Sequence, residues 1–478
     1  MNTSLQRPFL FPSTQNYLCS RGFKGFKLIR KIYDPFEAQG PQPVKDFLPK
    51  NKNVRRTIFS WGETTTGSLG IIRFIRPDLK KNPQSKPIDH MPQPTMVDFF
   101  NDFKVVDVAA GHGFSLFAVD PKKNPSKDKK TGMIKTQASS LYGTGVNSFN
   151  QLGRQEFQGK RMNVLIEPVP IYLPIDSDDK IKKVAAGRCH SIVLTDKGMV
   201  FSFGSNCYGQ LGRTIVPNED YKMTSLIHKI DLPEEVMDIV CGQDHTMFLM
   251  KSGRIYSCGL GADGQTGLES YGLTSTPTLI RGDIEGEKIV QVACSADTVL
   301  AVSDKGDVFG WGNSEYMQLD SVCLSEQINV PRKLSFKSKS IGKVKRVTAG
   351  GSSCCLINER NEVYVWGFGI LGKGPKIDQL REPSLIPKTI FNCDDVTGNP
   401  ENQVVDVVAG LRHFAAITSL GDLYTWGKNR SGCLGQGGRK RGRDPPDLFY
   451  PLRVDIPASV SKVSLGVDHS LALCRSFV

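Results

Sequence analysis

Residues 181–212 read IKKVAAGRCHSIVLTDKGMVFSFGSNCYGQLG, and this stretch decides the fold. Apolar and polar positions alternate through Val200, Phe201, Ser202 and Phe203, and β-branched or aromatic residues fill the runs between Gly and Asn turns. A period of two is strand chemistry, because it lays one face of an extended chain on a core, whereas a helix needs apolar residues three and four apart. The stretch has two halves. The first is a strand ending in a Gly turn, KVAAG at Lys183–Gly187; the second is an aromatic strand running into a Gly-rich loop, MVFSFGSNCYGQLG at Met199–Gly212.

Both halves recur seven times along the 478 residues. The first returns as VDVAAG at Val106–Gly111, DIVCG at Asp238–Gly242, a weaker QVACS at Gln291–Ser295, RVTAG at Arg346–Gly350, DVVAG at Asp406–Gly410 and KVSLG at Lys462–Gly466. The second returns as RIYSCGLGADGQTG at Arg254–Gly267, EVYVWGFGILGKG at Glu362–Gly374 and DLYTWGKNRSGCLG at Asp422–Gly435, among others. The turn positions fall at 111, 187, 242, 295, 350, 410 and 466, so the intervals are 76, 55, 53, 55, 60 and 56. Regular recurrence of this kind marks units that cannot bury an apolar face alone and must stack. Each unit supplies about four short strands, the last exemplified by Glu167–Ile175, Ser275–Ile284, Asn329–Phe336 and Leu448–Ile456. The predicted fold is therefore all-β: a seven-bladed β-propeller with four-stranded blades.

Ring closure is also predicted. The sequence stops after SLALC with no aromatic strand following, while its ordered pattern starts with an orphan aromatic half, TIFSWGETTTGSLG at Thr57–Gly70. Joining the two completes the last blade and leaves no exposed sheet edge. All four Trp (Trp61, Trp311, Trp366, Trp426) fall at one repeat position, which reads as inter-blade core.

The unit VxxVAAGxxHSxxLTxxGxVYxWGxNxxGQLG, matched best at Ile181–Gly212 and Val404–Gly435, resembles the repeat of the regulator of chromosome condensation family. The resemblance spans residues 57–478 and includes the count of seven. Repeat four departs at Ser295, Thr298 and Met317-Gln318-Leu319-Asp320, and repeat five has Cys354-Cys355 beside Ser353 where His-Ser is usual; both are expected to lose ordinary loop contacts. The resemblance is to the family's mitochondrial branch. It implies guanine-nucleotide exchange on a dynamin-related mitochondrial GTPase, peripheral association with the matrix side of the inner membrane, and a part in mitochondrial rRNA and large-subunit maturation.

The N-terminus agrees with that compartment. Met1 to Tyr33 carries Arg7, Arg21, Lys24, Lys27, Arg30 and Lys31 and no acidic residue, and on a helix Phe23, Phe26, Ile29 and Tyr33 would share a side. Residues 1–33 read as a mitochondrial transit peptide, 34–56 as a linker and 57–478 as the propeller. No stretch holds the roughly 18 consecutive apolar residues of a membrane span. The formal charge is +13, but residues 1–56 hold eleven Lys/Arg and three Asp/Glu, or +8, which leaves +5 for the propeller. That balance does not imply a uniformly basic nucleic-acid surface. The charge is clustered instead, at Lys122, Lys123, Lys127, Lys129, Lys130 and Lys135, at Lys337–Arg346, and at Arg439, Lys440, Arg441 and Arg443. Such clusters contact phosphate by charge alone, which makes Lys122, Lys123, Lys127, Lys129 and Lys130, with Arg439, Lys440, Arg441 and Arg443, the candidate RNA contacts.

One His position recurs in the Gly turns, at His190, His245, His413 and His469, and is Phe114, Thr298 and Ser353 in the other repeats. A His repeated this way is ordinarily a structural hydrogen-bonding group. By resemblance, a His of this type lies on the face that engages a GTPase, so these four are the GTPase-contact candidates. No catalytic constellation, cofactor motif or metal spacing is found. Gly259-x-Gly261-x-x-Gly264 and Gly367-x-Gly369-x-x-Gly372 match a dinucleotide fingerprint, but both sit in the repeat loop rather than opening a helix. The twelve Cys are scattered, which fits reduced thiols.

Overall fold

Seven four-stranded antiparallel sheets succeed one another along the chain. In the computed structural model the described residues are 56–475, apart from 78–85, 121–138, 177, 222–226, 322–324, 394–400 and 438–444. The transit peptide read at 1–33 and nearly all of the linker lie outside them. Blade 1 comprises strands Lys104–Ala110, Phe114–Asp120, Leu141–Val146 and Val164–Ile171, and blade 2 comprises Ile181–Ala186, His190–Thr195, Val200–Gly204 and His228–Ile230. Blades 3 to 6 repeat this order, with inner strands at Val236–Cys241, Ile289–Ala293, Val344–Ala349 and Val404–Ala409. Outer strands begin slightly earlier than the sequence pattern indicates, as at Leu273–Leu279 and Gln327–Lys333.

Blade 7 is closed by the two ends of the described chain. Its sheet order places His90–Met96 and Arg56–Glu63 beside His469–Arg475 and Ser459–Leu465. Arg56 pairs with Arg475 and Gly62 with His469, so the N-terminal strand is hydrogen-bonded along its whole length. No helix among the described residues is long and apolar enough to cross a membrane.

Apolar side chains fill the spaces between neighbouring blades. Trp61, Trp311, Trp366 and Trp426 are at most 1% exposed, which confirms their reading as core. A Gly follows each of them, and its lack of a side chain is required: Gly62 has φ +111° and an added Cβ would lie 2.4 Å from the Asp468 carbonyl oxygen.

Backbone carbonyls at the loop ends latch one blade to the next. Two residues before the loop's closing position, Ser68 O accepts from Ser115 Oγ (2.8 Å), Gln151 O from Ser191 Oγ (2.6 Å) and Gln210 O from Thr246 Oγ1 (2.7 Å). Indole groups serve in later blades, where Gln265 O accepts from Trp311 Nε1 (3.0 Å) and Gln318 O from Trp366 Nε1 (2.7 Å). At the closing junction Cys433 O accepts from both Trp61 Nε1 (2.7 Å) and Ser470 Oγ (2.8 Å). Six of the seven junctions therefore carry the same bond. Repeat four keeps its latch despite its Met317–Asp320 ending, contrary to the expectation from sequence, because the bond uses a backbone oxygen that the side chain does not alter.

Removal of residues 57–70 tests closure. The deletion takes away a strand paired on both sides and the Trp61 latch, and should lower the melting temperature by well over 10 °C or abolish soluble expression. An unchanged melting temperature would show that blade 7 does not close the ring.

Candidate partner-binding face

Two kinds of connection meet on one end of the propeller: the turns between first and second strands, and the Gly-rich loops between third and fourth. In blade 2 they are bonded to each other, since Ser205 N donates to Cys189 O (2.8 Å). Turns of successive blades are also joined, as His112 N donates to Gly187 O (3.3 Å), Arg188 N to Gln243 O (2.9 Å) and Gly351 N to Leu411 O (2.9 Å). The result is a rim of short, mutually bonded turns around the channel mouth.

The four sequence-predicted His lie beneath this rim rather than on it. His190, His245, His413 and His469 are each at most 1% exposed. Their imidazoles pack under the turn Gly, so that a Cβ on Gly187 would fall 2.2 Å from His190 Cε1. His190 Nε2 meets Thr246 Oγ1 at 3.1 Å and His469 Nε2 meets Ser115 Oγ at 2.9 Å, in both cases the hydroxyl that makes the inter-blade latch. Burial drives all four pKa values down, to about 3 for His190 and His469 and about 4 for His245 and His413. The rings stay neutral at physiological pH and support the turns from below.

The charges of the rim are uneven, with Arg188 and Asp297 half-exposed and Asp244 buried. Arg188 donates through Nε to Asp244 at 3.1 Å, and its charge adds to burial in lowering the His112 pKa to about 4. Asp297 receives hydrogen bonds from Gln243 Nε2 (3.0 Å) and Gln265 Nε2 (3.1 Å), while burial and the nearby Asp263 raise its pKa to about 6. Blades 3 and 4 thus carry the acidic side. Blade 6 carries Arg412, Lys428 and Arg430, of which Lys428 pairs with Asp447 (2.8 Å) and Arg430 with Asp468 (3.5 Å).

Below the rim a cavity of about 310 Å³ runs along the axis. Each inner strand has a register shift that re-aims the next side chain toward its neighbours, as between Val105 and Asp107 or Val460 and Lys462. The seven side chains so placed are Asp107, Lys183, Asp238, Gln291, Arg346, Asp406 and Lys462, three acids, three bases and one amide. Lys183 is ion-paired with Asp238 and Lys462 with Asp107, across blade junctions. Gln291 exchanges two bonds with Val347, at 2.9 and 3.0 Å. This ring was not evident in the sequence. Aligning the residue four places before each turn Gly would have revealed it.

Every predicted RNA-contact residue, namely Lys122, Lys123, Lys127, Lys129, Lys130, Arg439, Lys440, Arg441 and Arg443, lies outside the described residues. Of the Cys, ten are described, all are free thiols, and burial raises the pKa values of Cys189 and Cys258 to about 11 and about 12.

Comparison with known proteins agrees with this architecture. Residues 140–477 match the model of the RCC1-like domain, and residues 57–118 match the regulator of chromosome condensation (RCC1) repeat. The chain belongs to the RCC1-like propeller family. It is 41% identical over 450 residues to the mouse protein named RCC1-like G exchanging factor-like protein, an alignment covering 92% of each chain. The human protein of that name is 40% identical over 444 residues, covering 91% of this chain and 90% of its own. The crystal structure of human WBSCR16 superposes with a TM-score of 0.78 at 40% identity, covering 88% of this chain and all of that one. The yeast Prp20p structure, at 18% identity and a TM-score of 0.66, shares the fold.

The buried His predict acid lability of this RCC1-like propeller. Their folded pKa values lie below the unfolded value near 6.5, so the unfolded chain binds more protons and stability falls as pH drops from about 6.5 toward 4. Five such His, counting His112, outweigh Asp297, whose raised pKa acts in the opposite sense. Denaturant titrations should show a loss on the order of several kcal/mol between pH 6.5 and 5. The His190→Ala variant should have lower stability at neutral pH, by about 2–4 kcal/mol, and a shallower pH dependence.

Proposed function

We propose that this propeller is a guanine-nucleotide exchange factor for a dynamin-related mitochondrial GTPase, working at the matrix side of the inner membrane. The observation that carries the reading is the 41% identity across 92% of both chains to a protein named an exchanging factor. Exchange needs no nucleophile or proton transfer. A surface that binds the nucleotide-free GTPase more tightly than the loaded form must, by linkage, lower nucleotide affinity. A rim of short turns, braced by bonds between blades and by neutral His underneath, suits that task because little ordering entropy is lost on binding. The compartment is supported by the basic, acid-free segment 1–33.

On this reading the half-exposed Arg188 and the exposed Arg412 contact the GTPase, the buried Asp244 holds Arg188 through their ion pair, and His190, His245, His413 and His469 hold their turns in place. Release of a fluorescent nucleotide from the purified GTPase is the test. Arg188→Ala and Arg412→Ala should slow accelerated release at least tenfold with the melting temperature unchanged, whereas the His→Ala variants should lose exchange and stability together. No acceleration of release by the wild-type protein, from any mitochondrial GTPase tried, would end the exchange reading.

A second reading is favoured by a specific feature of the sequence, the clusters at Lys122–Lys130 and Arg439–Arg443 on a propeller of modest net charge. They suit a scaffold that holds mitochondrial rRNA and ribosome-assembly proteins. Neutralising either cluster should weaken binding of mitochondrial rRNA across sequences alike and reduce the salt slope by about one unit per lost phosphate contact. Binding and slope equal to wild type would remove the clusters from consideration.

A further inference from the structure

The axial ring of charges is not closed all the way round. Of its three acids and three bases, Lys183 pairs with Asp238 and Lys462 with Asp107, so two acid–base pairs on neighbouring blades are made. Arg346 of blade 5 and Asp406 of blade 6 are the third pair of neighbours, and neither takes part in an ion pair among the described residues. Asp406 Oδ1 accepts a bond from the next backbone amide, Val407 N (3.1 Å). The half-buried carboxylate otherwise faces cations with which it forms no pair. Burial raises its pKa, and the guanidinium of Arg346, with lesser effects from Lys462 and Lys183, offsets only part of that rise.

The backbone around this open pair is tied up within the protein. Ser295 stands where six repeats have the turn Gly, and its hydroxyl donates to Ala409 O (2.5 Å), a bond that passes from blade 4 to blade 6 and narrows the rim end of the cavity. Thr348 Oγ1 accepts from Ala409 N (2.8 Å), and Gln291 uses both ends of its amide on Val347. What is left over is the two charges. The end of the cavity away from the rim is open to solvent, since Arg346 is exposed and the side chains of Lys183 and Lys462 keep 31% and 34% of their surface. Between the two ends the wall of the cavity, about 310 Å³ in volume, includes Val240, Ala293 and Val408, each partly exposed.

We propose that the axial cavity binds a small aliphatic α-amino acid, with its carboxylate on Arg346, its ammonium on Asp406 and its side chain against the apolar wall. A guanidinium meets a carboxylate with a fork of N–H donors, and a carboxylate accepts charge-assisted bonds from an ammonium. The charge count selects a zwitterion. The ring is neutral as a set, three acids against three bases, so an ion of one sign would answer one open group and leave the other unpaired in a confined site, which is costly. A ligand carrying both charges beside one carbon answers both groups and keeps the cavity neutral. Apolar walls with a few placed polar groups are the usual make-up of a small-molecule cavity, and Val240, Ala293 and Val408 supply the apolar part. The cavity shares no residue with Arg188 and Arg412 on the rim, so binding there does not depend on exchange activity.

Calorimetry on the full-length protein is the test, with L-leucine and L-valine as the probes. Both should bind saturably and raise the melting temperature. Isopentylamine and isocaproate, which are leucine without its carboxylate and without its ammonium, should each bind at least tenfold more weakly than leucine. Arg346→Gln and Asp406→Asn should each weaken leucine binding at least tenfold, and the first should leave isopentylamine binding, the second isocaproate binding, at the wild-type level. Neither residue is ion-paired among the described residues, so the melting temperature without ligand should stay close to wild type. The analogue series on the wild-type protein decides the matter should either variant fail to fold. No heat and no melting shift with either amino acid at millimolar concentration, an analogue of single charge that binds as tightly as leucine, or folded variants with unchanged leucine affinity would each overturn the proposal.

Discussion

A backbone carbonyl at the end of one blade's loop, accepting a bond from the core of the next blade, is the interaction on which the rest of this propeller depends. Each blade has an apolar face on either side and no independent core, so the architecture stands only if neighbours are held in register. Apolar packing is non-directional and would tolerate sliding. The latch is directional, and because its donors are buried Ser, Thr and Trp groups, breaking it leaves a polar group without a partner, at a cost of about 1–3 kcal/mol. The same hydroxyls of Ser115 and Thr246 also meet the imidazoles of His469 and His190. Turn, imidazole, hydroxyl and carbonyl thereby form a continuous chain from rim to core.

A second register device operates along the axis. The bulged inner strands bring alternating charges together, and Lys183 with Asp238 and Lys462 with Asp107 pair across junctions at the half-buried wall of the cavity. Pairs of this kind contribute modestly to stability, because desolvation offsets most of the attraction. Their larger consequence is selectivity: a blade 1 inner strand shifted by one residue would set Val106 or Val108 where Asp107 meets Lys462, and the pair would be lost. Rigidity at the rim follows from both devices, and a rigid rim is what a surface that discriminates between two states of a partner requires.

The His illustrate how a repeated polar residue can mislead when only its spacing is known. Their recurrence in the turns suggested an exposed position, but the rings point inward and it is neighbours such as Arg188, Arg412 and Asp468 that reach the surface. Burial is a tertiary property. It follows from the turn Gly, which leaves room for the ring to tuck underneath.

What the sequence by itself determined was the all-β class, the seven blades, the closure of blade 7 by Thr57–Gly70 and the family. Each of these depends on local period and repeat count, which are written along the chain. The tertiary structure alone decided which side chains meet: that Ser115 lies against His469 and Ser68, that seven residues far apart in sequence share one ring, and that Trp426 Nε1, unlike Trp61 Nε1, has no acceptor among the described residues. The short loop of blade 5, with five positions from Gly367 to Gly372 where the other blades have eight, was present in the spacing from the start. Its meaning depended on the indole of the next blade, more than fifty residues away, whose N–H has no acceptor among the described residues while the other six junctions have their latch.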